Sequence, residues 1–327
     1  MLAREAVHAS GGKMRLGIIG AGAIAARHLA IMPEADPAVE IAAHLSRRLA
    51  RAEEAAARFG GRAFDDLEAF IGEGKLDAAL VTVPPAEHGA VERALLAARI
   101  PFIVEKPLGI DAAGPEELAV AIGAAGLVVA AGYNWRALDT LRAVRELLAE
   151  SPARMVLGRF HIGTPPAPWW RFEAASGGQM LEQACHLIDL ARYLVGEGRL
   201  IGAAGSFGPL PGFADGDIAG ASAALLQFGE VPGVITATSL LPNGPGAELR
   251  LICLGREIVI TLAGIEIIEG PERRRLESRS SSYMRQNRRF FGAVRSGRAD
   301  DLFSSYADAL PTHRLCLEIR SAIQPNR

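Results

Sequence analysis

The sequence predicts a mixed α/β fold, in which a doubly wound parallel sheet is followed by an α+β part with a large, mostly antiparallel, open-faced sheet. Between residues 14 and 135, short apolar runs alternate with longer helical patterns, as in strands joined by helical crossovers. Between residues 200 and 269, short alternating strands punctuated by Gly and Pro follow one another. We therefore divide the chain into a flexible tail (1–13), a first domain (14–135) and a second domain (136–327), whose last helix could pack back on the first domain.

The composition is that of an ordinary globular protein. Of the 327 residues, 50% are hydrophobic, and 35 Lys and Arg nearly balance 37 Asp and Glu, which gives no electrostatic footprint for nucleic acid. No apolar run reaches the ~20 residues of a membrane span, and residues 1–13 lack the apolar core of a signal peptide. Three scattered cysteines without metal-ligand spacing favour a reducing compartment. We expect a cytoplasmic protein with no nucleic-acid or membrane partner.

The first predicted element is a buried strand at Leu16–Ile19, which leads directly into a glycine-rich turn and a helix. The turn reads Gly-Ala-Gly-Ala-Ile-Ala at residues 20–25. Gly20 permits the tight turn, Gly22 lets a pyrophosphate approach the backbone, and Ala25 lets helix and strand pack closely. The free N–H groups of the new helix would hold the negative charge. The pattern predicts a dinucleotide site; the alternative is a glycine turn that only packs.

Four further helices and five further strands complete the first domain. Strands are predicted at Val39–Leu45, Arg62–Phe64, Leu76–Val83, Pro101–Val104 and Leu127–Ala131, and helices at Arg48–Phe59, Asp65–Ile71, Ala86–Ala98 and Pro115–Ala125. Right-handed crossovers place the carboxyl ends of the strands along one edge, where ligands bind. The cofactor contacts predicted there are Gly20, Gly22, Ala23, Ile24, Ser46, Arg47, Arg48, Thr82, Pro84, His88, Glu105 and Lys106.

The end of the second strand predicts which cofactor is preferred. Enzymes that prefer NAD carry an acidic side chain there, but this chain has Ser46, Arg47 and Arg48 and no carboxylate. A hydroxyl and forked guanidinium donors suit a 2′-phosphate, so we expect NADP(H) to be preferred over NAD(H). The alternative is that the two arginines simply begin an exposed helix.

Lys106 follows the fifth strand and precedes Pro107. Proline stiffens the turn and confines the preceding residue to extended backbone angles, which directs the ammonium into the crevice. The alternative is an ordinary surface charge.

Four motifs together resemble one known family. They are the glycine-rich turn, the Glu-Lys-Pro turn at 105–107, Gly-Tyr-Asn-Trp-Arg at 132–136, and the stretch from Gly177 to Asp189. The chain resembles the glucose–fructose oxidoreductase, inositol dehydrogenase and rhizopine-catabolism (Gfo/Idh/MocA) family from Met14 onward. The resemblance implies an NAD(P)-dependent oxidoreductase acting without a metal on a sugar, a cyclitol or a related polyol.

The second half supports an α+β domain. Besides the run of strands, it predicts a strand at Arg154–His161 and helices at Leu138–Ala149, Gly178–Leu194, Tyr283–Val294 and Ser304–Ile323. A large sheet leaves one face in need of cover, so we expect a homodimer or homotetramer formed through that face.

The helix predicted from Gly178 carries four polar or aromatic residues on one face. Glu182, His186, Asp189 and Tyr193 recur at steps of four, three and four. Three interpretations remain open: a polar turn that satisfies its own backbone, a metal site, and acid–base chemistry, for which imidazole is suited because its pKa lies near neutral pH. By the resemblance, His186 is the base, Lys106 binds the same substrate oxygen, and Glu182 orients the imidazole. The family often has an aspartate at the position of Glu182.

The walls of the substrate pocket are predicted to come from Asn134, Arg136, Trp169, Trp170, Arg171, Gln183 and Tyr283. Tryptophan faces suit the C–H faces of sugars, although two adjacent tryptophans can also plug a core. Arg171 would bind an anionic group of the substrate or an acid of the protein itself. Two alternatives for the function remain: a cofactor-binding sensor that has lost turnover, and an enzyme that retains its cofactor and transfers hydride between two sugars.

Overall fold

The computed structural model describes residues 12–323. The predicted flexible tail, apart from Gly12 and Lys13, lies outside the described residues. No helix among the described residues is both long and apolar enough to cross a membrane.

The first sheet contains six parallel strands in the order β3-β2-β1-β4-β5-β6. The strands are β1 (Met14–Ile19), β2 (Val39–Leu45), β3 (Arg62–Phe64), β4 (Ala78–Val81), β5 (Phe102–Val104) and β6 (Val129–Ala131). Apolar runs predicted these strands because a sheet covered by helices on both faces buries both sides of each strand. The order reverses between β1 and β4, and a crevice for ligands is expected at such a point.

Five helices connect these strands, at Ala23–Ala35 (α1), Leu49–Phe59 (α2), Leu67–Gly74 (α3), Ala90–Ala97 (α4) and Ala113–Ala125 (α5). The helix predicted at Ala86–Ala98 is interrupted, so that prediction is wrong in part. Gly89 has φ +109°, a conformation that ends one turn and begins the next helix. The Glu92 carboxylate accepts a hydrogen bond from the backbone N–H of Gly89 and caps α4.

The second sheet contains eight strands in the order β14-β13-β12-β11-β7-β10-β9-β8. They are β7 (Ala153–His161), β8 (Gly198–Ser206), β9 (Ala221–Phe228), β10 (Val231–Thr238), β11 (Gly246–Cys253), β12 (Arg256–Thr261), β13 (Gly264–Glu269) and β14 (Glu272–Glu277). Neighbouring strands are antiparallel except β7 and β10, which are parallel. The predicted fold class is confirmed.

Six helices accompany this sheet: α6 (Leu141–Glu150), α7 (Glu173–Ser176), α8 (Gln179–Glu182), α9 (Cys185–Val195), α10 (Ser282–Ser296) and α11 (Tyr306–Ile323). The single helix predicted at Gly178–Leu194 is wrong, because it breaks into α8 and α9. Gln183 leaves the helical conformation, with φ −121° and ψ −55°. The break changes the direction in which Glu182 points.

The last two helices contact the first sheet. Phe290 and Phe291 of α10 belong to the same buried cluster as Leu16 and Ile18 of β1. At the start of α11, Ser305 forms an isolated bridge with Ala130 of β6. The last two helices therefore contribute to the core around the first sheet.

Candidate active site

A cavity of about 650 Å³ lies at the carboxyl ends of the strands of the first sheet. It extends from the glycine-rich turn to the turn after β5, and one of its walls comes from the second half of the chain. Its lining includes every predicted cofactor contact except one, namely Gly20, Gly22, Ala23, Ile24, Ser46, Arg47, Arg48, Thr82, Pro84, Glu105 and Lys106. The exception is His88, whose buried imidazole Nδ1 lies 2.5 Å from the Glu92 carboxylate.

The glycine-rich turn has the geometry that a pyrophosphate requires. Gly20 has φ +100°, and a Cβ there would lie 2.7 Å from the carbonyl oxygen of Thr82. A Cβ added at Gly22 would meet nothing within 4 Å. Glycine is therefore needed at 20 by the fold, whereas at 22 it leaves open space beside the start of α1. These residues fit a dinucleotide.

Arginines surround the part of the cavity beyond β2. The Arg47 guanidinium donates a hydrogen bond of 2.7 Å to Glu87, which projects from the loop after β4. Arg48 and Arg51 also line the cavity. Arg51 and Glu87 were not predicted from the sequence. The position of Arg51, one helical turn after Arg48, is the signal that could have revealed it.

Lys106 is held at the other end of the cavity by Glu182. Its ammonium donates to the backbone carbonyl of Glu182 and, over 2.9 Å, to carboxylate Oε1. The second carboxylate oxygen accepts a hydrogen bond of 2.8 Å from the Trp170 indole. Burial alone would lower the pKa of Lys106, but the negative charges around it, that of Glu182 foremost, outweigh burial and raise the pKa. Lys106 is therefore a cation at physiological pH.

The helix break explains why this bond is possible. The backbone N–H of His186 bonds to the carbonyl of Gln183 and not to that of Glu182. The Glu182 carbonyl is consequently available to the ammonium. The prediction that Glu182 orients the imidazole of His186 is wrong, since its carboxylate binds Lys106 and Trp170. The predicted shared face also fails at Glu182, which lies on α8 while His186 and Asp189 lie on α9.

His186 is buried beside the ammonium. Its Nδ1 has no hydrogen-bond partner among the described residues, and its ring meets that of Tyr133 edge-on at 6.2 Å. Burial and the charge of Lys106 both lower the pKa of His186 well below its usual value. The imidazole is therefore neutral. His186 is not among the residues that line the cavity, so its predicted convergence with Lys106 on one substrate oxygen stays a prediction.

The metal interpretation finds no support in the part of the chain that the structure describes. Asp189 accepts two hydrogen bonds from Arg136, at 2.6 and 2.7 Å, and one from Thr312. Within residues 12–323, no three His, Cys, Asp or Glu side chains are grouped so as to hold a metal ion.

Of the predicted pocket-wall residues, one lines the cavity and the others do not. Trp169 lines the cavity, together with Ala167, which was not predicted from the sequence. Trp170 is 1% exposed and supports Glu182, so it plugs the core, which was the alternative interpretation. Arg171 forms a two-bond ion pair with Asp215, which is an acid of the protein itself.

The remaining predicted wall residues are not among those that line the cavity. Arg136 is buried in its ion pairs with Asp189 and Asp308. The Asn134 amide donates to the hydroxyl of Ser282 over 3.2 Å. Two more of these residues do not belong to the cavity lining: Gln183, which is buried at the helix break, and Tyr283, which packs against His28. These contacts could not be predicted from the sequence, because each partner lies on an element more than 50 residues away or at the helix break, which was not expected.

The fold and the cavity define a dinucleotide-binding protein of the Rossmann class with a second, sheet-based half. Two family models match the chain: "Oxidoreductase family, NAD-binding Rossmann fold" over residues 14–133, and "GFO/IDH/MocA C-terminal domain" over residues 142–259. The chain belongs to the Gfo/Idh/MocA oxidoreductase family.

The relatives are named for different substrates, one a nucleotide sugar and the other a cyclitol. The chain is 30% identical, over 193 residues, to dTDP-3,4-didehydro-2,6-dideoxy-alpha-D-glucose 3-reductase of Actinomadura kijaniata; the match covers 58% of each protein. It is 26% identical over 190 residues to myo-inositol 2-dehydrogenase of Thermotoga maritima, covering 56% of this chain and 55% of the relative. The chain thus spans little more than half the length of the curated relatives it matches.

A solved structure shares the whole fold. KijD10, a 3-ketoreductase from Actinomadura kijaniata in complex with TDP-benzene and NADP, superposes with a TM-score of 0.81 at 23% identity. The superposition covers 96% of this chain and 98% of that chain. At this identity the likeness establishes the fold alone.

Proposed function

We propose that this chain is an NAD(P)-dependent oxidoreductase that transfers a hydride between C4 of the nicotinamide and a carbon of a sugar, a cyclitol or a related polyol. One observation carries the proposal: a single cavity joins a glycine-rich turn suited to a pyrophosphate with a buried ammonium, that of Lys106. The bound nicotinamide would supply or accept the hydride. The residues of the chain must then handle the proton of the substrate oxygen.

Lys106 is the group proposed to bind that oxygen. An ammonium has three N–H donors, and Glu182 accepts from it at its carbonyl and at its carboxylate. The remaining donor is available to a substrate in the cavity. When a carbonyl is reduced, negative charge grows on its oxygen, and the nearby cation stabilises that charge.

His186 is proposed as the proton acceptor when an alcohol is oxidised. Only a neutral imidazole can take up the hydroxyl proton, and the lowered pKa of His186 keeps it neutral. Lys106 would meanwhile stabilise the developing alkoxide. In the reverse reaction the same ring, once protonated, would return the proton to the oxygen.

We propose NADP(H) as the preferred cofactor. Ser46, Arg48 and Arg51 line the cavity at the place where the adenosine ribose is expected, and guanidinium groups bind phosphate oxygens strongly. Arg47 is nearby but already paired with Glu87. A 2′-phosphate would therefore find its donors mainly in Arg48 and Arg51.

The substrate and the assembly are proposed from the relatives and the surface. Trp169 offers an aromatic face to a sugar ring at the cavity wall, and nucleotide sugars belong among the candidates because the Actinomadura relative reduces one. Met155, Ile201 and Leu225 are between 42% and 48% exposed on strands of the second sheet. These exposed side chains support a homodimer or homotetramer through that sheet. The buried free thiol Cys185 is consistent with a reducing, cytoplasmic location.

The reduced-nicotinamide absorbance band provides the test. The purified chain is mixed with NADP⁺ or NAD⁺ and a panel of sugars, inositols and nucleotide sugars, and with NADPH or NADH and keto sugars. We expect turnover with at least one of them, and Lys106→Ala should lower kcat by ~10²–10⁴ while the cofactor still binds. Exposed Lys13→Ala is the matched control and should be unchanged. Cofactor binding without turnover on the whole panel would favour the sensor alternative.

A further inference from the structure

His28 lies on α1, the helix that begins at the glycine-rich turn, and its side chain is completely buried. Both of its ring nitrogens have polar partners. Nε2 lies 2.9 Å from Oε1 of Glu105, and Nδ1 lies 3.0 Å from Oδ1 of the Asn287 amide. The NH2 group of this amide has no partner among the described residues, so we turn the amide to let its NH2 group donate to Nδ1. A carboxylate is only an acceptor, so Nε2 must carry a proton and donate it to Glu105.

Glu105 is the residue directly before Lys106, and its carboxylate is enclosed. The residue is 5% exposed, at the end of β5. A Cβ on Gly132 would lie 2.8 Å from this carboxylate, so the backbone of the next strand closes one side. Glu105 is also one of the groups whose negative charge raises the pKa of Lys106. Its position therefore affects the charge of the ammonium.

The other side of the His28 imidazole contacts residues of α10, which is distant in sequence. Asn287 is 1% exposed on α10, which packs against α1. Tyr283, one turn earlier on α10, meets the ring of His28 edge-on with centroids 5.1 Å apart. The imidazole thus cannot turn away from Glu105 without disturbing a buried aromatic contact and a buried hydrogen bond.

We propose that His28 is a positioning residue for Lys106: by donating a hydrogen bond to Glu105, it holds a negative charge beside the ammonium and joins the pyrophosphate-binding helix to the turn that carries the ammonium. The inference depends on the proposed function only for what Lys106 does to a substrate. The effect on the protonation of Lys106 is expected in the protein without substrate or cofactor.

Loss of His28 should change the ammonium in a definite direction. Without the imidazole, the carboxylate of Glu105 has no hydrogen-bonding side chain among the described residues. Without that hydrogen bond, the carboxylate is no longer held in place beside the ammonium. Lys106 would then lose one of the charges that keep it protonated, while burial, which favours the neutral amine, remains. The fraction of neutral, nucleophilic amine should rise.

The chain offers an internal standard for this measurement, because it has only three lysines, Lys13, Lys75 and Lys106. The purified apoprotein is labelled with a trace of acetic anhydride at a fixed pH, and peptide mass spectrometry gives the labelling rate of each amine. We expect His28→Leu to raise the rate of Lys106 relative to Lys13 about 10-fold, the equivalent of one pKa unit.

Two further variants separate positioning from general loosening of the fold. In His28→Gln an amide can still donate to Glu105, so the ratio should return to within about 3-fold of the native one. His44→Leu is the matched control, since His44 is a buried histidine on β2 that bonds to the Gly60 carbonyl, away from Lys106. Its ratio should be native. Should His28→Leu not fold, Glu105→Gln removes the same charge and should raise the ratio equally.

The proposal is overturned if the ratio is unchanged or lower in His28→Leu or Glu105→Gln, or if His44→Leu raises it equally. Because the assay contains neither cofactor nor substrate, it is independent of the proposed function. Native labelling in His28→Leu together with turnover of a panel sugar would refute the role of His28 alone. A raised ratio without turnover of any sugar would refute the proposed function alone.

Discussion

Replacing Arg136 with methionine should destabilise the protein without directly altering its cavity. The guanidinium binds Asp189 through two hydrogen bonds of 2.6 and 2.7 Å, and the two side chains are 1% and 0% exposed. Burial would lower the pKa of Arg136, but Asp189 and Asp308 outweigh burial and raise it, so the group remains charged. Methionine has similar volume and leaves Asp189 as a buried charge without its main partner.

The size of the effect follows from the contacts that survive. Breaking a buried ion pair from one side costs about 3–5 kcal/mol. Thr312 still donates a hydrogen bond of 2.8 Å to Asp189, which favours the lower end, about 3 kcal/mol. For 327 residues the entropy of unfolding is about 0.7 kcal/mol/K, so this loss corresponds to a decrease in Tm of roughly 4 °C. Thermal unfolding followed by circular dichroism measures it.

The double variant Arg136→Met with Asp189→Leu is the control. It removes both charges, so it should be less destabilised than the sum of the two single variants, with a coupling energy of about 1–3 kcal/mol. A Tm within about 2 °C of native for Arg136→Met, together with a raised KM for substrate, would refute the reasoning. Arg136 would then belong to the pocket wall, as the sequence had indicated.

Three further changes test the ends of the cavity. Glu182→Gln removes the charge that does most to raise the pKa of Lys106, and burial remains. The ammonium should then lose its proton at lower pH, and the alkaline decline of carbonyl reduction should move down by at least about one pH unit; a native pH–rate profile would contradict this. Arg51→Ala should raise KM for NADPH about 10-fold and hardly change KM for NADH, whereas equal losses would argue against a 2′-phosphate contact. At Gly20, φ is +100°, and a Cβ would lie 2.7 Å from the Thr82 carbonyl oxygen. Gly20→Ala should therefore lower the free energy of unfolding by about 1–3 kcal/mol. An unchanged Tm would show that alanine fits this turn without strain.

The first sheet was predictable because its signals are local. The alternation of short strand-like segments with helical patterns located all six strands, and β2 and β3 begin and end where the sequence indicated. Helix ends were less certain, since they depend on single residues. Gly89, for example, interrupts a periodic pattern that looked continuous, because its backbone adopts φ +109°.

The cofactor end of the site was predictable for the same reason, and the substrate end was not. Ser46, Arg48 and Thr82 follow directly from the ends of strands, where the fold fixes their direction. Arg136 and Trp170, in contrast, were expected on the pocket wall and lie in the interior. Their partners, Asp189 and Glu182, are distant in sequence or displaced by the helix break, and no periodicity reveals such pairings.

The protonation states at the substrate end follow from one arrangement. Glu182 and Glu105 keep the ammonium of Lys106 charged although it is buried, and that charge in turn helps to keep His186 neutral. A cation and a neutral imidazole can therefore stand side by side at the same pH. Had Glu182 continued a regular helix, its carbonyl would have bonded to the backbone of His186, and Lys106 would have lost one of its two acceptors. The break between α8 and α9 is thus as much a part of the site as the side chains that it carries.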